Sequence, residues 1–226
     1  MTKILFHKLY ILLFVLILLA VTACTGKNTS PNSTSAVPQP SQDEMRKAII
    51  GAFKHQYDHP HRIESAVSTA DQDVLVTIEY VPPDRYSISS EANYYRQIII
   101  ITDKVYGKSN DQWSILPMSP DQLINPNSLK ELENTIQGIQ YMGQETLDGK
   151  STNVYQYKSD TTIGKTKVTQ QSQLWIGVSD GLPYKIVIDG QIATMDARTG
   201  NVEGIKAKTT QTIVYDQAIK IEAPLP

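Results

Sequence analysis

The chain has 226 residues, enough for one or two ordinary domains, and its 40% hydrophobic and 19% charged content describes a chain that folds rather than one that stays disordered. A formal charge of −2 and the lack of any basic block of five or more residues argue against a phosphate-tracking surface, and so against nucleic acid as a partner. The single cysteine excludes an intrachain disulfide, so the fold must rest on its core.

That cysteine ends the longest apolar run. Lys3, His7 and Lys8 form a positive start, and Leu9–Ala23 is a 15-residue apolar stretch. This is signal-peptide length and falls short of the ~20 residues that span a bilayer as a helix. The stretch Val21-Thr22-Ala23-Cys24 resembles a bacterial lipobox: an aliphatic residue, two small ones, then a nucleophilic thiol. The resemblance implies cleavage of residues 1–23 and a diacylglyceryl thioether on Cys24, carrying chains of the palmitate kind. Each buried methylene would then contribute about 0.8 kcal/mol to anchoring. An ordinary signal peptide, or an uncleaved anchor with an incidental cysteine, is the plainer alternative. Removing residues 1–23 deletes Lys3 and Lys8 and no acid, which takes the formal charge from −2 to −4.

Residues 24–40 are rich in Ser, Thr, Asn and Pro and poor in large apolar side chains, so they read as a tether. Its sixteen residues after Cys24 reach on the order of 20–25 Å root-mean-square. Asn28 and Asn32 stand in N-x-S/T patterns, to which no role is assigned. A helix follows. Ser41 and Glu44 form a capping box, and Met45, Ala48, Ile49, Ala52 and Phe53 make one apolar stripe that needs a sheet beneath it. Pro60 in "HQYDHPH" is a natural stop.

The period then changes to two. "DVLVTIEY" (73–80) alternates, "PPD" turns, and "RYSISS" continues. "RQIIIITDKVYGK" (96–108) reads as one fully apolar strand, buried on both faces at least locally, followed by "DQWSILP". "SPDQLI" gives a short turn, and Leu129, Leu132 and Ile136 mark a second helix. Five strands fill the last third, with Asp148-Gly149, Asp180-Gly181 and Asp189-Gly190 as turns between them. Roughly ten strands in sequential order predict an antiparallel meander with helical insertions on one face. The fold class is α+β, mainly antiparallel β, in one domain covering 41–226.

This order of elements resembles the LolA/LolB and LppX/LprG superfamily of bacterial lipoprotein and lipid carriers. The likeness is carried by "VPPDRYSIS" (81–89), "IIIITDKVYGKSNDQWSILP" (98–117), "QYMGQETLDGKSTNVYQY" (140–157), "LWIGVSDGLPYKIVI" (174–188) and "IVYDQAIKIEAP" (213–224). It implies a curved open sheet, a half-barrel, with the N-terminal helix and lid helices on its concave face and an apolar cavity between them for acyl chains. A permanent tether at Cys24 favours holding or handing over lipid at a membrane rather than a diffusing shuttle.

Independently of resemblance, a twisted sheet with few short helices tends to leave an apolar cleft. The candidates for its wall are Val74, Val76, Ile78, Tyr80, Tyr86, Ile88, Tyr184, Ile186 and Ile188, which alternate with polar residues. Each of them either lines such a cleft or packs as core under the first helix. His55, His59 and His61, with Asp58, are weak candidates for a metal site, against the reading of a solvated helix end. No metal or other cofactor is expected. No Gly-x-Ser-x-Gly elbow and no glycine-rich phosphate loop is present, so no catalytic residue is assigned and the chain is not read as an enzyme. The expectation is an extracytoplasmic lipoprotein of a bacterial cell envelope. It meets the membrane through acylated Cys24 and binds an acyl chain, lipid or lipoprotein. The alternative is a ligand-free structural or protein-interaction lipoprotein.

Overall fold

The computed structural model describes residues 40–91, 95–163, 166–195 and 202–224. Cys24 and the rest of the segment 1–39 lie outside the described residues. Helix α1 (Gln42–Gln56) begins as its sequence dictates: Ser41 Oγ accepts from the Glu44 amide at 3.3 Å, and Glu44 Oε2 accepts from the Ser41 amide at 2.8 Å. The strands β1 (His61–Thr69), β2 (Asp73–Val81), β3 (Arg85–Ser90), β4 (Gln97–Ile101), β5 (Lys104–Ser109) and β6 (Gln112–Ile115) follow. A 3-10 turn (Pro120–Gln122) and α2 (Ser128–Thr135) precede β7 (Gln137–Leu147), β8 (Lys150–Ile163), β9 (Thr166–Gly177), β10 (Pro183–Met195) and β11 (Val202–Tyr215).

Among the described residues, eleven strands form one antiparallel, open sheet in the order β6-β5-β4-β3-β2-β1-β11-β10-β9-β8-β7. Two meanders, β1–β6 and β7–β11, are therefore joined by pairing of the first strand with the last, from His61 opposite Tyr215 to Thr69 opposite Ala207. The connection from β6 to β7 has to travel from one edge of the sheet to the other. It crosses the concave face and carries α2 with it. The curvature is visible in one pair of strands. In a flat sheet β8 and β11 would stand about 14 Å apart, with two strands between them. Instead their Cα atoms approach within 8 Å. This is the antiparallel meander that the pattern of strands predicts, curved into the half-barrel that the resemblance implies.

The main core lies under α1. Met45, Ile49 and Ala52 pack on Tyr155, Leu174, Ile186, Ile188 and Ile213. A second cluster, Val67, Val74, Val76, Ile192 and Ala207, spans the join between the meanders. At the far end Ile98 and Ile100 face one cluster, while Ile99 faces Tyr106, Ile219 and Ile221 on the other side. The run 98–101 is thus buried from both sides, as its composition requires.

Three local expectations need correction. The segment 96–108 is a hairpin rather than one strand: Thr102, in the left-handed region at φ 55°, turns β4 into β5. Strand β1 has no counterpart in the sequence reading, because two of its inward positions are His61 and Ser65 and hide the alternation. Asp189-Gly190 is no turn; Gly190 sits inside β10 opposite Ala207. Its φ of 156° explains the glycine there.

Candidate functional site

Between the helices and the concave face lies a cavity of about 220 Å³. Its floor comes from adjoining strands: Tyr157, Ser159 and Asp160 of β8, Gln170 of β9, Ile186 of β10, Gln211 of β11 and Ile63 of β1. Its roof is the end of α1, with Phe53 and Gln56, together with Tyr57 just beyond, and α2, with Ser128, Leu129, Glu131, Leu132 and Thr135; Asn125 precedes α2 at the edge. Inward-facing alternation places Tyr157 and Ser159 on the same face of β8, and the ladder sets Ser159 opposite Gln170. Tyr157, Ser159, Gln170 and Ile186 are buried, whereas Asn125, Ser128 and Glu131 are exposed, so the cavity opens along α2.

The cavity is two-faced in chemistry. Phe53, Ile63, Leu129, Leu132 and Ile186 give it apolar walls, and hydroxyls and amides occupy the floor. Burial pushes the Tyr157 phenol up from its ordinary value, with nearby Ser172 pulling weakly the other way, so it stays protonated at neutral pH. Among the described residues, the charged side chains on the lining are Glu131 and Asp160.

Of the nine residues read as a cavity wall, Ile186 lines this space. Val74 and Val76 lie in the cluster at the join of the meanders, with Ile78 and Ile88 packed against it. Ile188 is in the core under α1. Tyr80 is buried against His61 and Tyr86 and donates its hydroxyl to the Pro83 carbonyl at 3.0 Å. Tyr184 closes the β9–β10 turn by donating to Asp180 Oδ2 at 2.6 Å. Phe53 and Leu132 were visible as helical stripe residues, but nothing in the sequence sets them over the strands that form the floor. Tyr157, Ser159 and Gln170 were missed because polar strand residues read as outward-facing. The regular step Tyr155-Tyr157-Ser159 was the available signal.

The histidines separate. His55 and His59 bring their Nε2 atoms to 3.2 Å at the exposed end of α1, while His61 turns into the core. Among the described residues no three His, Cys, Asp or Glu side chains are grouped to hold a metal ion.

No protein-family model matches the chain, and no curated protein matches it in sequence. Solved structures do match. LprF from Mycobacterium bovis superposes with a TM-score of 0.54 at 13% identity, over 83% of this chain and 99% of LprF. The lipoprotein LppX of Mycobacterium tuberculosis gives 0.53 at 14% identity, over 80% of this chain and 100% of LppX. Identities this low speak for architecture and nothing finer: the chain has the LprF/LppX fold.

Proposed function

We propose that this chain is a lipoprotein of a bacterial cell envelope, held at a membrane by acyl groups on Cys24, which binds part of an amphipathic lipid, an acyl chain or a lipoprotein for holding or transfer. The observation that carries this reading is the cavity roofed by α1 and α2, with apolar walls from Phe53, Leu129 and Leu132 and an opening along the lid. Support comes also from the lipobox-like Val21–Cys24 stretch and from sharing a fold with a protein named as a lipoprotein, LppX. The volume sets a scale. It exceeds the engineered cavity of ~150 Å³ that takes benzene and is smaller than the ~300 Å³ at which drug-sized pockets begin. The cavity therefore receives a segment of a lipid rather than the whole molecule.

The test uses the full chain in phosphatidylcholine vesicles that contain a phospholipid with a photoreactive acyl chain. Illumination is expected to give adducts in the peptides containing Phe53 and Leu129–Leu132. Leu129→Trp, which fills the space, should remove most of them and leave adducts in residues 1–39 unchanged. Adducts confined to residues 1–39 in the unsubstituted chain would overturn the reading and leave the ligand-free interaction role.

A further inference from the structure

We propose that His55 and His59 form a two-imidazole chelate at the exposed end of α1 that binds one late divalent transition-metal ion, copper(II) most tightly and zinc(II) next, with water in the remaining positions. Neither side chain lines the cavity, so the site stands apart from the lipid-binding reading. His55 occupies the last turn of α1, and His59 lies just beyond its end. The helical path continues that far, since the His59 amide donates to the Gln56 carbonyl at 3.2 Å. Residues four apart on such a path are neighbours on one side.

The geometry fits one ion. The two Nε2 atoms are 3.2 Å apart at an exposed position. Zn–N bonds of ~2.0–2.1 Å set two nitrogens on one ion ~2.9 Å apart at a right angle and ~3.3 Å apart at the tetrahedral angle. The observed separation falls between those values. Ring positions give a second measure. Two imidazoles meeting head-on in a straight N–H···N hydrogen bond of this length would have centroids ~5.5 Å apart. Two imidazoles converging on one ion would have centroids ~5 Å apart. Here they are 4.9 Å apart, with the ring planes at 64°. The pair is thus a bent hydrogen bond and a well-set chelate. Binding needs both Nε2 lone pairs, so the ring that donates takes the tautomer with its proton on Nδ1.

His59 is held in place without an ion. Its carbonyl accepts from Nδ1 of the buried His61 at 2.8 Å, and its ring stands edge-on to Tyr215 with centroids 6.2 Å apart. A ligand already ordered costs less to bind with. The C-terminal end of a helix also favours a cation, and Asp58, exposed between the two histidines in the chain, adds negative charge there. Imidazole nitrogen suits copper, nickel and zinc, with copper(II) first in affinity, whereas calcium takes oxygen ligands.

The test is calorimetric titration of the metal-free full chain in phosphatidylcholine nanodiscs, with empty nanodiscs as the blank and zinc chloride or calcium chloride as the probe. Zinc is expected to bind one ion per chain, and calcium to give no heat above the blank. Either His55→Gln or His59→Gln leaves a single imidazole, so each should weaken zinc about a hundredfold. His55 carries the test, because its side chain is exposed and its loss leaves the core untouched. An equal urea midpoint for the metal-free parent and His55→Gln checks that. With copper(II) chloride, electron paramagnetic resonance should show coupling to two nitrogens in the parent and fewer in His55→Gln. An unchanged zinc affinity in His55→Gln overturns the chelate, as does a copper spectrum that the substitution leaves unaltered. Calcium binding as tightly as zinc, or no zinc binding by the parent, overturns it as well.

Discussion

At the scale of single residues, His61 shows how a sequence feature can be legible and its role not. Three histidines in seven residues look like a ligand set, yet His61 is 2% exposed and belongs to the core. Its Nδ1–H donates to the His59 carbonyl at 2.8 Å, which leaves Nε2 to accept from the Gln56 amide at 3.0 Å. Both contacts fit the neutral ring. Burial lowers its pKa from the ordinary 6.5, more strongly than its hydrogen bonds raise it. Below pH 6.5 the unfolded chain therefore binds a proton that the folded chain resists, so stability rises with pH in that window and is lost as pH falls through the depressed folded value. Urea unfolding across pH 8 to pH 5 should show this loss, and His61→Phe should flatten its share of it. At pH 8 the same substitution is expected to cost about 1–3 kcal/mol, because the Gln56 amide and the His59 carbonyl lose their partner. An unchanged pH slope in the variant would place the titration elsewhere.

At the scale of elements, α1 and α2 differ in what holds them. The first carries a complete capping box and a buried stripe, so its sequence announces it. The second has eight residues, none of them buried, and no side-chain N-cap bond; a helix that short is marginal on its own in water. It depends on α1. Arg46 donates to the Glu133 carbonyl at 3.1 Å and to the Ile136 carbonyl at 2.7 Å, serving the end of α2 where carbonyls lack partners and a cation is favourable. The ion pair of Lys54 with Glu133 at 3.6 Å is exposed and adds little. Arg46→Ala should therefore speed amide exchange in residues 129–136 about tenfold, equivalent to ~1.4 kcal/mol, while β8–β11 keep their protection. Equal acceleration across those strands would mean that Arg46 holds the whole core and not the lid. Nothing local in the sequence foretells this clamp, since Arg46 lies 90 residues before Ile136. The hairpin at Thr102 was hidden for a different reason: four consecutive isoleucines obscure the point where one strand ends and the next begins.

At the scale of the whole molecule, what could be read in advance was the inventory of strands; the join between them could not. Alternation and turn dipeptides depend on neighbours in sequence, so they reveal the meander of β7–β11 and most of β2–β6. The pairing of β1 with β11 brings together residues some 150 positions apart, and the inward His61 and Ser65 disguise β1 itself. That ladder nevertheless determines the site. It sets Ile63 of β1 beside Gln211 and Ile186 on the cavity floor, and it places the edges β6 and β7 so that their connection must carry α2 over the concave face. The core cluster of Val67, Val74, Val76, Ile192 and Ala207 also crosses the join, so the two meanders share apolar burial as well as backbone bonds. A break in the ladder should therefore be felt on both sides. Ala66 is the place to make it: its side chain is exposed, and its backbone pairs with Thr210 on one side and Leu75 on the other. Ala66→Pro removes an amide donor from a central strand without changing the core, at a cost of about 3 kcal/mol or more. Urea denaturation followed by far-ultraviolet dichroism and by tryptophan fluorescence should give one coincident transition in the parent and one, at lower urea, in the variant. Trp113 reports on β6 and Trp175 on β9, so the fluorescence samples both meanders. Two separated transitions in the variant, with the β9 signal persisting, would show that β7–β11 and its helices stand without the other half.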